Sequence, residues 1–188
     1  NFNFLDDQLY RQHYYTLYDI DYSKIYSFTH TLSKRSKQHT IENLKSSIMY
    51  RLSGNKLGDY SYPMGLIKVY EVSDNSLTLV GSDNFEIVDK NSNIDIYTGT
   101  TSDVVADFMI VDCKDLRSNS DVCLKATFAN NSDKKRGIEW TEYIYGDYTI
   151  INQSIEGNQL DANRIRVSFS LDANESISHT LEIKVSKK

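Results

Sequence analysis

The C-terminal stretch RIRVSFSLDANESISHTLEIKV, residues 164–185, decides how the second half of the chain folds. Apolar side chains alternate with polar ones on both sides of a short polar segment: Ile165, Val167, Phe169 and Leu171, then Ile177, Leu181, Ile183 and Val185. This alternation gives a strand one buried face and one solvated face. Because residues 172–176 carry turn chemistry, the stretch predicts a β-hairpin.

Further apolar runs precede this hairpin and are separated by Asp, Asn, Ser and Gly. They cover residues 65–72, 76–81, 84–88, 93–97, 104–111, 122–129 and 137–151. Short runs bounded by turn residues are typical of antiparallel sheets. We therefore predict a β-rich head of about eight or nine strands over residues 59–188.

The first 58 residues show a different pattern, with most apolar side chains three to five positions apart and tyrosines every four positions. The apolar positions include Leu5, Leu9, Leu17 and Ile20, and the tyrosines include Tyr10, Tyr14 and Tyr18. This spacing is close to the helical repeat. It predicts a long N-terminal helix, followed by a short helix capped by Thr40. The predicted fold class is α+β, with a helical segment at 1–58 and the β head at 59–188.

Composition and charge exclude two classes of protein. The 188 residues are 39% hydrophobic and 25% charged, as in an ordinary globular domain, and the net charge is −5. A net negative charge argues against a nucleic-acid partner. No apolar run in the sequence is long enough to span a membrane. The chain contains 14 tyrosines, a residue type that suits half-exposed faces and interfaces.

No motif predicts catalysis, and one segment resembles a metal loop only in part. Asp89, Asn91, Asn93 and Asp95 space oxygen ligands like the start of a calcium-binding loop. The positions that need glycine and glutamate hold other residues, so a turn between strands is the preferred interpretation. His179 is predicted to be a structural histidine, either buried and hydrogen-bonded or at a sheet edge. We expect no metal site, no cofactor and no enzymatic activity.

Two cysteines, Cys113 and Cys123, flank a polar stretch that predicts a hairpin loop. Their spacing favours a disulfide, and two unpaired core thiols are the alternative. A disulfide would indicate export to an oxidising compartment. The chain also has a basic patch at Lys34, Arg35 and Lys37, which is either a solvated helix end or a surface for an anionic partner.

The stretch from Leu5 to Tyr18, continuing to Phe28, resembles the first helix of type IV minor pilins and pseudopilins. The resemblance implies a structural subunit of a pilus or secretion filament, anchored in the membrane by an upstream segment. Leu5, Leu9, Leu17, Ile20 and the tyrosines at 10, 14 and 18 would then form the interface with other pilin-like or envelope proteins. The implied location is the periplasm, the cell surface or the extracellular space.

The alternative function is a secreted or surface-anchored β-rich module for binding or adhesion, with a host protein or glycan as ligand. Aromatic side chains are enriched at recognition surfaces. The candidate contacts for such a ligand are Tyr60, Tyr62, Tyr143, Tyr145 and Tyr148. An enzyme without a recognisable motif is the third possibility.

Overall fold

A computed structural model describes residues 20–32, 40–54, 57, 64–73, 76–86, 89, 91–111 and 121–185. Its elements are all strands: Tyr22–Leu32 (β1), Thr40–Leu52 (β2), Gly65–Ser73 (β3), Ser76–Phe85 (β4), Ile94–Val111 (β5), Asp121–Asn130 (β6), Arg136–Ile144 (β7), Tyr148–Gln153 (β8), Asn158–Asp161 (β9), Arg164–Leu171 (β10) and Ser176–Val185 (β11). The fold of the described residues is therefore all-β.

Nine of the described strands form one sheet in the order β8-β11-β6-β5-β2-β1-β7-β10-β9. Strands β3 and β4 form a separate two-stranded hairpin. The pairing of β1 with β7 is parallel, and the other described pairs are antiparallel. The predicted antiparallel sheet is thus confirmed, with one parallel joint between its sixth and seventh strands.

The large sheet curls, because its two edge strands are neighbours in sequence. Strand β8 ends at Gln153 and β9 begins at Asn158, a step that an extended chain covers in at most about 18 Å. Nine strands in a flat sheet would hold their edges roughly 38 Å apart at the usual spacing. The curl also brings Phe169 of β10 and His179 of β11 together, with ring centroids 4.8 Å apart.

The concave side of the curled sheet holds the main core. Alternate side chains of β1 and β7 are buried there, and Phe128 of β6 lies at the centre of an aromatic cluster. Its ring centroid is 5.1–5.8 Å from those of four neighbours, which are Phe28, Phe108, Trp140 and Phe169. Aromatic side chains of this size bury a large apolar area each. The core therefore joins strands from all parts of the sheet.

The predicted α+β fold and its N-terminal helix are wrong, since β1 and β2 are central strands. The tyrosine repeat of four is an even number, so in β1 it also places Tyr22 and Tyr26 on one face of a strand. In β2, a bulge shifts the register between Ile41 and Leu44, where β2 advances three residues while β5 advances two. This bulge breaks the alternation of two and produces a helix-like step. The pilin resemblance, which depended on the helix, is wrong with it.

Most of the residues assigned to the pilin interface lie outside the described part of the chain, namely Leu5, Leu9, Tyr10, Tyr14, Leu17 and Tyr18. Ile20 is described and is partly buried. It packs against a second, smaller cluster formed by Leu57, Ile94 and Ile96. In the structure, Ile20 therefore contributes to the protein's own core.

Replacing Phe128 by alanine tests the aromatic core. We expect F128A to lower the free energy of unfolding by about 3–5 kcal/mol, since it leaves a cavity among packed rings. Leu77→Ala is the matched control, because Leu77 is 65% exposed and its loss should change stability by less than about 0.5 kcal/mol. Urea unfolding of both variants measures this, and equal losses would contradict the proposed core.

Candidate functional site

A concave site lies between the curled sheet and the β3–β4 hairpin, and we call it the tyrosine crevice. The sheet supplies its floor, which consists of Tyr22, Tyr50, Leu52 and Ile96. The hairpin supplies its wall, which consists of Val69, Tyr70, Glu71, Val72 and Val80. The cavity volume is about 410 Å³. Aliphatic and aromatic side chains make up most of this lining.

Strand register places the floor residues together. Tyr22 of β1 is opposite Leu52 of β2, and Tyr50 of β2 is opposite Ile96 of β5. Directly opposed residues in a sheet share a face, so these four side chains project to the same side. The tyrosine rings of Tyr22 and Tyr50 have centroids 6.0 Å apart and are tilted by 43°. Ile96 also belongs to the second cluster, in which it is buried together with Ile94.

Close contacts with β5 hold the hairpin over this floor. The Asp83 carboxylate accepts a hydrogen bond of 2.8 Å from the backbone N–H of Tyr97. Gly81 passes so near to β5 that a Cβ atom there would lie 2.4 Å from the carbonyl oxygen of Thr98. Only glycine fits at this approach. Ile67 and Val69 of the hairpin pack against the second cluster and complete the attachment.

The outer part of the hairpin carries apolar side chains that the described residues leave exposed. Two opposed pairs, Tyr70 with Leu79 and Val72 with Leu77, lie on one face of it. Their exposed fractions are 45% and 52% for the first pair, and 75% and 65% for the second. Large apolar side chains that cluster on a surface commonly mark a binding site. This face adjoins the crevice through Tyr70 and Val72.

Among the described residues, two charged side chains lie at or near the crevice. Glu71 is the charged residue among the described lining residues. Lys24 lies outside the lining, and its Nζ atom is 5.6 Å from the Tyr50 ring centroid and 6.0 Å from that of Tyr26. An ammonium at this distance from an aromatic face makes a cation–π contact.

The opposite face of the sheet carries an ion-pair network with a structural role. The Arg51 guanidinium donates two hydrogen bonds of 2.7 Å to Asp95 and one of 2.9 Å to Glu139. These carboxylates raise the pKa of Arg51, so it stays charged. Glu139 is 95% buried. A buried carboxylate is strongly unfavourable without a cation beside it, and Arg51 supplies that cation. The network joins β2, β5 and β7.

A second polar group lies inside the core. The His30 Nδ1 atom is 2.9 Å from both carboxylate oxygens of Glu142, and the Trp140 indole N–H donates to the same carboxylate at 3.1 Å. Burial raises the pKa of Glu142, and the hydrogen bonds from His30 and Trp140 oppose the rise. The His30 ring stacks on Phe108 at 4.5 Å. Since His30 and Glu142 are both buried, a substrate cannot reach them.

His179 is buried in the core, which is one of the two placements predicted for it. Its Nδ1 atom lies 3.5 Å from the Ser154 hydroxyl, and its Nε2 atom has no hydrogen-bond partner among the described residues. Phe169 packs edge-on against its ring. Burial lowers the pKa of His179.

The residues considered as calcium ligands serve the fold in the structure. Asp95 pairs with Arg51, and the Asn93 side-chain oxygen accepts a hydrogen bond of 2.9 Å from the Gly54 N–H. Asn91 adopts a left-handed backbone with φ of 64°, and Asp89 is exposed beside it. Among the residues described, no group of three or more His, Cys, Asp or Glu side chains is placed to hold a metal ion.

Several other predicted site residues lie outside the described ranges: Lys34, Arg35, Lys37, Tyr60, Tyr62 and Cys113. Cys123 is buried on β6, and its bridge to Cys113 stays a prediction. Tyr143 and Tyr145 are exposed, but neither lines the crevice. Tyr148 is half-buried, and burial raises the pKa of its hydroxyl, with a smaller contribution from Asp161 on the opposite edge of the sheet.

Sequence reasoning missed the tyrosine crevice. Tyr22 was interpreted as part of a helical stripe, and Tyr50 and Tyr70 were not singled out. The high tyrosine content was the available signal, but composition does not show which rings meet. Their meeting depends on strand register and on the docked hairpin, which connect positions far apart in the chain.

Comparisons with known proteins give little further information. No protein-family model matches the chain, and no curated protein matches it. One solved structure with some likeness is the NMR structure of the folded domain of LppM from Mycobacterium tuberculosis, at 9% identity, covering 95% of this chain and 96% of that one, with a TM-score of 0.32. A likeness at this TM-score supports no conclusion about function. Within the described ranges, no helix is long and apolar enough to cross a membrane.

His179 predicts a pH-dependent stability. Because burial lowers its pKa below the usual 6.5, the unfolded chain takes up a proton more readily than the folded protein. Its contribution to stability is complete above about pH 6.5 and is lost as the pH falls below that value. The wild type should therefore lose more unfolding free energy between pH 7.5 and 5.5 than H179F, as measured by urea unfolding at both pH values.

Phenylalanine suits the site, since Phe169 and Phe128 already surround the imidazole. The comparison uses the difference between the two proteins, so acidic groups that titrate in both cancel. An equal loss in wild type and H179F would contradict the role assigned to His179.

Proposed function

We propose that this chain is a non-enzymatic β-rich binding module that holds an apolar or aromatic group of its ligand in the tyrosine crevice. The carrying observation is the crevice itself, a cavity of about 410 Å³ with a mostly apolar and aromatic lining. Small-ligand sites in proteins have volumes of about 300–1,000 Å³ and linings of this kind, with few polar groups.

The exposed apolar face of the hairpin supports the same proposal. Val72 is 75% exposed and Leu77 is 65% exposed. A ligand larger than the crevice would cover these side chains and remove their apolar surface from water, which favours binding. The hairpin would then act as one side of the binding surface and the sheet as the other.

A binding role fits the placement of the titratable groups better than catalysis does. The buried His30–Glu142 pair lies in the core, and the Arg51 guanidinium is occupied by two carboxylates. Catalysis needs an acid, base or nucleophile within reach of a bound substrate. The described lining residues of the crevice include one carboxylate, that of Glu71, and no histidine, cysteine, serine or lysine that would act together with it.

We further propose that the module is exported, either secreted or attached to the cell surface. This location rests on the predicted disulfide between Cys113 and Cys123, because structural disulfides persist in oxidising compartments. A host protein, a glycan or a small apolar molecule are ligand classes that a tyrosine-rich site accommodates.

Nile red, a neutral apolar dye that fluoresces when removed from water, tests the crevice. We expect saturable binding to the wild type and roughly fivefold weaker binding to Tyr22→Ala, the factor that about 1 kcal/mol of lost aromatic contact gives. Tyr145→Ala is the matched control, because Tyr145 is 67% exposed and Tyr22 is 65% exposed. Tyr145 lies outside the crevice lining.

Fluorescence titration of the three proteins gives the dissociation constants. Circular dichroism and urea unfolding check that both variants keep the fold. The absence of saturable binding to wild type, or equal weakening by the two substitutions, would contradict the proposal.

A further inference from the structure

We propose that the group bound in the tyrosine crevice is a quaternary ammonium, of the trimethylammonium type found in choline. This inference rests on the proposed function, since it names the ligand chemistry of the same site. The rings of Tyr22 and Tyr50, with centroids 6.0 Å apart, lie on the floor of one cavity, and Tyr70 and Glu71 are among the residues that line its wall. Aromatic faces combined with a carboxylate are a known chemical solution for holding methylated ammonium ions.

The electrostatics of the lining set the sign of the ligand charge. The face of an aromatic ring is electron-rich and attracts cations. Glu71 adds a full negative charge to the lining, and no lysine or arginine is among the described lining residues. The whole chain carries a net charge of −5, which favours the approach of cations over anions.

The apolar part of the lining explains why a methylated ammonium fits better than a plain one. Leu52, Ile96 and Val80 supply aliphatic surface beside the rings. A primary ammonium would lose hydrogen bonds to water against such surface. Methyl groups have no hydrogen bonds to lose, and they gain from leaving water.

The protein's own lysine already makes a cation–π contact with the Tyr50 ring. The Lys24 Nζ atom lies 5.6 Å from the Tyr50 centroid, and it approaches Tyr26 at 6.0 Å. Lys24 remains exposed. Its long side chain can turn to solvent when another cation occupies the crevice, because an exposed contact of this kind is weak.

Choline and its uncharged isostere 3,3-dimethyl-1-butanol test the inference. The two molecules have nearly the same shape and differ in the charge at one atom. Titrations followed by NMR of the tyrosine rings should show choline binding roughly tenfold more tightly than the alcohol, as a partly desolvated cation–π site predicts. Chemical-shift changes should centre on Tyr22, Tyr50 and Tyr70.

Three variants separate the contributions to this preference. Tyr22→Phe keeps the ring and should keep the preference for choline, whereas Tyr22→Leu removes the ring and should reduce it. Glu71→Gln should weaken choline binding several-fold and leave the alcohol unchanged. Tyr145→Leu, at an equally exposed tyrosine outside the crevice, should change neither.

Vesicles distinguish the two sources of a trimethylammonium group. Retention on phosphatidylcholine vesicles but not on phosphatidylglycerol vesicles, lost in Y22L, assigns the group to a lipid headgroup. Binding of free choline without retention on phosphatidylcholine assigns it to a soluble ligand. Both results support the proposed chemistry.

Equal affinity for choline and its isostere would overturn the ammonium inference and leave an apolar binding site in place. Binding of Nile red with no binding of choline would overturn it in the same way. Failure of Nile red to bind the wild type would remove the proposed function as well. The two proposals therefore fail by different results.

Discussion

The parallel pairing of β1 with β7 is the interaction on which the rest of the structure depends. It joins the strands β8, β11, β6, β5 and β2 on one side to β10 and β9 on the other. The pair runs from Ile25 opposite Gly137 to Leu32 opposite Ile144. Without it, the sheet would divide into two parts, and neither would enclose the aromatic core around Phe128.

Polar groups on both faces of β7 fix the register of this joint. Glu142 projects into the core and meets His30, while Glu139 projects to the other face and meets Arg51. A slip of one residue would exchange the two faces of the strand. It would place Glu139 among aromatic rings, without Arg51, where an unpaired carboxylate is strongly unfavourable. The two glutamates therefore select one register, although buried ion pairs add little net stability.

The sequence identified the strands whose buried face alternates without interruption. Strands β10 and β11 and the turn between them follow directly from residues 164–185, and β3 begins at the predicted Gly65. The runs at 93–97 and 104–111 are predicted as separate strands, but both belong to the single strand β5. Gly99 lies within β5 and has a positive φ. A glycine inside a strand tends to be interpreted as an interruption.

The N-terminal part of the described chain misled the pattern analysis for physical reasons. Even spacing in β1 satisfies both a helix and a strand, and the bulge of β2 between Ile41 and Leu44 imitates a helical step. The choice between helix and strand depends on the pairing of β1 with β7 and of β2 with β5. The paired residues are far apart in the sequence. The crevice could not be predicted for the same reason, because it forms where the hairpin docks on β5 through Gly81 and Asp83.

The function proposed for the chain follows from this arrangement. The core side of the sheet is filled, its polar pairs are satisfied by each other, and the opposite face carries the Arg51 network. The end of the sheet beneath the hairpin is where β1 and β2 present tyrosines to an open cavity. A strand at β1 is required for this, since Tyr22 reaches the crevice only by pairing opposite Leu52.

The most direct test of the account is therefore a nuclear Overhauser experiment on the protein in solution. The account predicts contacts between the Phe28 and Phe128 rings, whose centroids are 5.4 Å apart, and between the backbones of β1 and β7 in the register that sets Phe28 opposite Trp140. A continuous series of sequential amide–amide contacts through residues 22–32, without contacts to β7, would show a helix there and would contradict it.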